Sequence, residues 1–288
     1  MAEGEVVNDV YSYIVGVRVK AHRFLMFVGM LTVLALAGER ALPRKQSSQQ
    51  MLKIVAAIQR ADYEGDREAL SKLHDQLILT SSASQVNSRV SYWRGFALWR
   101  RALNGFNESA PQQELQADLD GAVADFDQAM HLDPEFADAK AAEAGCLMSL
   151  MFLNQKNEGY VKGTIPKLRK LAIEAQAAAP DNPRVLWVIG GGLWYRPVEA
   201  GGGQQKAMET YERGLKLLRE PPSTNRDPLE PAWGEPELLM SLAWSNLHRA
   251  EPDLVAAEQR AREALKLVPY WHYVRDILLP QIVAAKTR

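Results

Sequence analysis

The side chains that could do chemistry are few and scattered. Five histidines stand at positions 22, 74, 131, 248 and 272. None belongs to an H-E-x-x-H zinc-protease motif, no G-x-S-x-G nucleophile turn occurs, and a single cysteine, Cys146, leaves no paired-cysteine metal motif. His272 sits in the aromatic run Tyr270-Trp271-His272-Tyr273-Val274-Arg275. As a base or ligand it would need a carboxylate partner that the sequence does not identify, so packing is the favoured role. Cys146, beside Gly145, reads as a small buried residue, and Glu258 with Arg262 as an i, i+4 pair on a solvated helix face. Asn107-Glu108-Ser109 fits a glycosylation sequon, which matters only in a eukaryotic secretory setting. Gly201-Gly202-Gly203 before Gln204-Gln205-Lys206 is superficially like a phosphate loop. It lacks the G-x-x-x-x-G-K-[ST] spacing and a preceding strand, so it is expected to be a turn into a helix. The expectation is a protein that is not an enzyme and holds neither cofactor nor metal.

With catalysis disfavoured, composition limits the remaining classes. Thirty-five acidic residues against 34 Lys and Arg leave a net charge of −1, without the basic excess of a nucleic-acid binder. Hydrophobic residues at 47% and charged residues at 24% fit a folded globular chain rather than a disordered or multi-span membrane protein. One thiol cannot form an internal disulfide, so the redox compartment stays undetermined.

The elements that must position any binding surface are helical. Beyond Gln46 the apolar periodicity is that of helices, and one pattern recurs. Ala122, Phe126, Ala129 and Pro134 stand at offsets 0, 4, 7 and 12; Leu168, Ala172, Ala175 and Pro180 repeat them, as do Ala257, Ala261, Ala264 and Pro269. Ala207, Tyr211 and Gly214 repeat the first three, with Arg219 in place of the proline. Small residues at these offsets share one helix face and let a neighbouring helix approach closely; the proline ends the helix. These residues resemble the second helix of the tetratricopeptide repeat (TPR). The resemblance implies an all-α, α/α superhelical solenoid, with Gly95, Ala144, Gly190 and Ser245 as the small residues of the first helices. Residues 51–79, around Gly65, read as a degenerate opening pair, and Tyr270 to Ala285 as a terminal covering helix kinked or broken at Pro280. A weaker resemblance, carried by Trp194-Tyr195-Arg196-Pro197 through Gly203, is to the periplasmic TPR-like component of solute transporters.

The resemblance implies 12 positions between the small residue and the leading position of the second helix. Here the spacings are 27, 24, 17 and 12, an excess of 15, 12, 5 and 0. Insertions at one joint of a solenoid emerge along one edge, so a tapering rim is expected, unless part of the excess lengthens the helices. Glu220 to Pro236, with five prolines, reads as an ordered loop or a hinge.

The concave face carried over from the family holds Tyr92, Phe96, Trp99 and Arg100, then Arg184, Trp187, Trp194, Tyr195 and Arg196, with lesser contributions from Asp138, Met148, Asn246 and Arg249. Its six aromatics represent on the order of 1,000 Å², whereas a monomer rarely exposes apolar patches beyond about 300–600 Å². Something must cover them. Either adjacent helices do so and the rings are core, or they line an arginine-edged groove for a protein, a peptide, a partner helix or a small ligand. A scaffold or adaptor for protein–protein interaction is the leading expectation. The first alternative is a ligand-binding accessory of a solute transport system, which an enclosed pocket lined by Trp187 and Trp194 would favour and an open groove would count against; the second is an enzyme of unknown class, which would need a convergent acid–base pair in a pocket. No nucleic-acid partner is expected.

Phe24 to Ala37 forms an apolar run of 14 residues after Arg18, Lys20 and Arg23 and closes on Ala35-Leu36-Ala37. That is the layout of a secretory signal, and the run is short for a span of roughly 20 residues. The expected organisation is a signal at 1–37, a linker at 38–50 and the repeat domain at 51–288, in the periplasm or secreted. The acidic lead-in Met1 to Val17 is atypical and is consistent with translation starting at Val19. A membrane anchor through 24–37 or an amphipathic first helix is the alternative; no cysteine follows the run, so lipid attachment there is excluded. N-terminal sequencing of the exported protein is expected to read from Gly38, and retention of Met1 would overturn the signal reading.

Overall fold

A computed structural model describes residues 44–80, 87–220 and 227–287, with side chains from residue 49. The apolar run 24–37 and the cleavage point after Ala37 lie outside the described residues. Among those described, no strand occurs, and eleven α-helices follow one another: α1 (Arg44–Glu64), α2 (Arg67–Thr80), α3 (Ser88–Asn107), α4 (Gln112–Leu132), α5 (Ala137–Leu153), α6 (Glu158–Ala178), α7 (Pro183–Tyr195), α8 (Gln204–Leu218), α9 (Glu235–His248), α10 (Leu254–Leu267) and α11 (Leu279–Lys286). Each packs on its predecessor, and α1, α3, α5 and α7 also pack on one another, which makes an all-α solenoid whose first helices form the inner layer. The helical domain begins at Arg44, inside the stretch expected to be linker.

The repeated residues explain the repeated turns. Asp133, Ala179 and Val268 each precede a signature proline, which disfavours helical backbone before it. All three leave the helical region, with φ of −145°, −146° and −132° and ψ of 91°, 73° and 81°. The N–H of each bonds back to the last signature alanine, Ala129, Ala175 or Ala264. Arg219, which replaces the fourth proline, keeps a helical φ of −85° and leads into the long connection before α9. Helix starts are fixed by Asn87, Asn157, Asn182 and Asp253, whose side chains accept backbone N–H bonds in the first turn.

Helix-to-helix approach is matched residue for residue. Where the second helix carries an aromatic, the first carries glycine: a Cβ on Gly95 would stand 3.0 Å from the Phe126 ring, and one on Gly190 would overlap the Tyr211 ring. Where the second helix carries Ala172 or Ala261, the first has room for Ala144 or Ser245. Gly190 of α7 thus exchanges helix propensity for ring packing.

The expected rim is absent among the described residues, because the excess lengthens the helices: α3 and α4 have 20 and 21 residues and α5 and α6 have 17 and 21, against 14 each for α9 and α10. Only between α7 and α8 does it form a loop, a short 3-10 turn followed by Gly201 and Gly203 at φ of 77° and 103°. The C-terminal segment passes through a π-helical stretch, Tyr273–Leu278, before α11. There Leu279 N–H bonds to Val274 O, five residues back, just ahead of Pro280, which has no N–H to donate.

Gly190→Ala is expected to lower stability by about 1–3 kcal/mol through overpacking against Tyr211, read as a fall in the urea midpoint by circular dichroism. An unchanged midpoint would contradict the glycine–ring pairing.

Candidate ligand-binding site

The inner face of α3 presents Tyr92, Trp93, Phe96 and Trp99, all at most 2% exposed. They are covered by the chain itself. Residues 227–234, from the proline-rich connection, cross the concave side as a strap that puts Leu229 and Trp233 into the aromatic layer. Trp93 Nε1 donates to Leu229 O at 2.8 Å, and Trp233 Nε1 donates to the Tyr92 hydroxyl at 2.9 Å. Trp233 lies 5.4 Å from both Phe96 and Trp187 between ring centroids. The strap is held by Arg89, which reaches Glu230 at 2.8 Å and also pairs with Asp133. Arg184, bound to Asp138, donates to Trp233 O at 3.4 Å.

The solenoid closes on itself through a buried polar cluster. Arg100 Nε donates to Asp62 Oδ2 of α1 at 2.6 Å, and its Nη2 reaches Glu237 Oε1 of α9 at 3.4 Å. Tyr63 donates its hydroxyl to the same Glu237 oxygen at 2.9 Å, and Asn104 Nδ2 donates to Asp62 Oδ1 at 3.0 Å. The guanidinium lies 5.4 to 5.8 Å from the centroids of Phe96, Trp187 and Trp233. Burial pushes the carboxyls of Asp62 and Glu237 above their ordinary pKa, with Arg100 opposing. The Tyr63 ring packs edge-on against Trp271, centroids 5.1 Å apart, which brings α1 to the segment after α10.

Where these ends meet, a cavity of about 360 Å³ remains. Eight aromatic rings line it, from Phe106, Trp187, Trp194, Tyr195, Tyr211, Trp244, Trp271 and Tyr273, with Asp62, Arg100, Asn104 and Ser241 among the polar groups. Trp187 divides core from cavity, and its Nε1 is fixed on Ser241 Oγ at 2.8 Å. Trp194 and Trp244 meet at 66° with centroids 5.2 Å apart, and Tyr195 is 79% exposed. Such a site suits an apolar or aromatic molecule held by dispersion and stacking.

The nine residues expected in one groove therefore separate. Tyr92, Phe96, Trp99 and Arg184 are core, because the strap occupies the face that a partner would have used. Arg100 is buried as well, but it reaches the cavity, together with Trp187, Trp194 and Tyr195. Arg196 is exposed on the α7–α8 loop. In the fourth repeat the lining comes from Met240, Ser241 and Trp244, a turn earlier than the family register places Asn246 and Arg249. His272 does have a carboxylate partner, Asp276 at 2.9 Å, which Arg275 also binds, holding its carboxyl at about 2. That pair lies outside the cavity lining. Among the described residues no three His, Cys, Asp or Glu side chains converge as a metal site, and no helix is long and apolar enough to cross a membrane. Asp62, Glu237, Trp233, Trp244 and Trp271 were not among the candidates. The proline-rich setting of Trp233 and the aromatic run around Trp271 are their only local signals.

No family model and no curated protein matches the sequence. Among solved structures the fold is similar to that of the HusA haemophore from Porphyromonas gingivalis, with a TM-score of 0.56 at 16% identity, over 73% of this chain and 98% of that one. The likeness is one of fold.

Core and cavity residues are expected to respond differently to truncation. Arg100→Ala strands two buried carboxylates and is expected to cost about 3–5 kcal/mol, whereas Trp194→Ala, at the cavity wall, leaves a cooperative urea transition close to that of the parent. Equal losses would contradict the division.

Proposed function

We propose that the protein is a non-catalytic binding protein of the cell envelope that handles a small, largely apolar or aromatic ligand, as an accessory to its transport. The observation that carries this reading is the eight-ring cavity at the closure of the solenoid. Its volume lies in the usual range for small-molecule sites, about 300–1,000 Å³. The name of the structural neighbour, a haemophore, supports ligand handling over a scaffold and makes haem the first ligand to test. We also read the helix pairs as TPR-like repeats whose concave surface has been given over to the chain's own strap.

A second reading, a protein-binding scaffold, keeps support from exposed apolar groups: Tyr195 and Val198 on the α7–α8 loop and Phe152 at the end of α5.

Titration of the purified domain with haem, followed by absorbance and tryptophan emission, is expected to show saturable one-to-one binding with quenching. Trp194→Ala should weaken it by about five- to tenfold, since one stacked ring is worth roughly 1–1.5 kcal/mol. Absence of binding removes haem as the ligand, and binding that is indifferent to Trp194→Ala would overturn the cavity reading in favour of the scaffold.

A further inference from the structure

The cavity has a charge preference that its aromatic lining alone does not reveal. Among the described residues, Asp62 and Arg100 are its only charged lining groups. Behind them stands Glu237, fully buried, on the same α9 face as Met240, Ser241 and Trp244 at helical spacing. One guanidinium thus faces two carboxylates, and the cluster carries a net charge of −1 when all three are ionised. Arg100 serves Asp62 at 2.6 Å and Glu237 only at 3.4 Å, while Glu237 Oε2 has no protein partner. A buried carboxylate that is incompletely compensated favours any cation that can approach it. The surrounding rings act in the same sense, because aromatic faces attract cations through their quadrupole. Arg100 already occupies the faces of Phe96, Trp187 and Trp233. The edge-on pair Trp194–Trp244, with Tyr211, Trp271 and Tyr273, lines the remaining space.

From this geometry we infer that the cavity selects small organic monocations, an ammonium or a flat heteroaromatic cation, over neutral and anionic molecules of the same shape. The inference rests on the reading of the cavity as a ligand site and names the class that this site prefers. Arg100 takes the role of a fixed internal counter-charge, and a cationic ligand adds a second positive charge beside the Asp62 that lines the cavity. A ligand that bears carboxylates must keep them at the solvent end, near the exposed Tyr195.

The test uses one tricyclic skeleton in three charge states: proflavine as the cation, acridone as the neutral molecule and acridine-9-carboxylate as the anion. Each is titrated fluorimetrically into the full domain at neutral pH. Proflavine is expected to bind at least about tenfold more tightly than the carboxylate, with acridone between them. Glu237→Gln and Asp62→Asn, each checked for folding by circular dichroism, should both shrink that ratio toward unity, while Trp194→Ala weakens all three dyes. Equal binding of the three dyes, with Trp194→Ala still weakening each, overturns the charge preference and leaves the cavity reading intact. Dye binding that Trp194→Ala leaves unchanged overturns both. A preference for the cation that survives both carboxylate substitutions overturns the assignment to this cluster.

Discussion

Arg100 is the contact on which the closed form of this solenoid depends. A guanidinium buried among Phe96, Trp187 and Trp233 must be paired, and its partners come from opposite ends of the chain, Asp62 on α1 and Glu237 on α9. A helical repeat array normally leaves its ends apart because each unit contacts only its neighbours. Here one charged side chain supplies contacts across 38 and 137 residues, and Tyr63 adds a hydroxyl to Glu237 and a ring to Trp271. Desolvating three ionisable groups costs several kcal/mol each, so such a cluster gives geometry more readily than net stability. The geometry it gives is a solenoid whose first and ninth helices are brought together beside an open, ring-lined pocket.

The strap 227–234 follows from the same constraint. An inner face as aromatic as that of α3 cannot be left in water, and the chain covers it with its own Leu229 and Trp233. The hydrogen bonds from Trp93 to Leu229 and from Trp233 to Tyr92 satisfy the polar atoms of rings that are otherwise buried. Filling the concave face leaves a narrower opening, bounded by Trp187, Trp194, Trp244 and Trp271.

Much of the fold was legible in the sequence because its determinants are local. The alanine–aromatic–alanine–proline spacing sets the second helix and its exit, and a glycine or alanine at the matching position of the first helix reports how closely the pair approaches. Pro134, Pro180 and Pro269 give the same non-helical residue before them, and the missing fourth proline marks where the chain departs into the strap. The cavity was legible only in part. Trp187, Trp194 and Tyr195 lie at positions that the repeat register singles out, whereas Tyr92, Phe96 and Trp99, equally singled out, are core, because a segment more than a hundred residues away covers them. Nothing local marks Asp62 or Glu237 as partners of Arg100, since that pairing exists only once the superhelix has turned far enough to bring α1 to α9. Extra residues between repeat positions could have built a rim or longer helices, and the continued apolar pattern of Met148 to Leu153 was the clue to the second outcome.

The central claim is that the strap face is sealed core and that the opening beside it is the ligand site. The seven tryptophans, at positions 93, 99, 187, 194, 233, 244 and 271, sample both places, so an indole N–H spectrum of the 15N-labelled protein, recorded through a haem titration and through hydrogen exchange, separates them. The expected result is that the indoles of Trp194, Trp244 and Trp271 shift or broaden on ligand addition, while those of Trp93 and Trp233 stay in place and exchange slowly. Ligand-induced changes centred on Trp93 and Trp233, or fast exchange at those two, would contradict it.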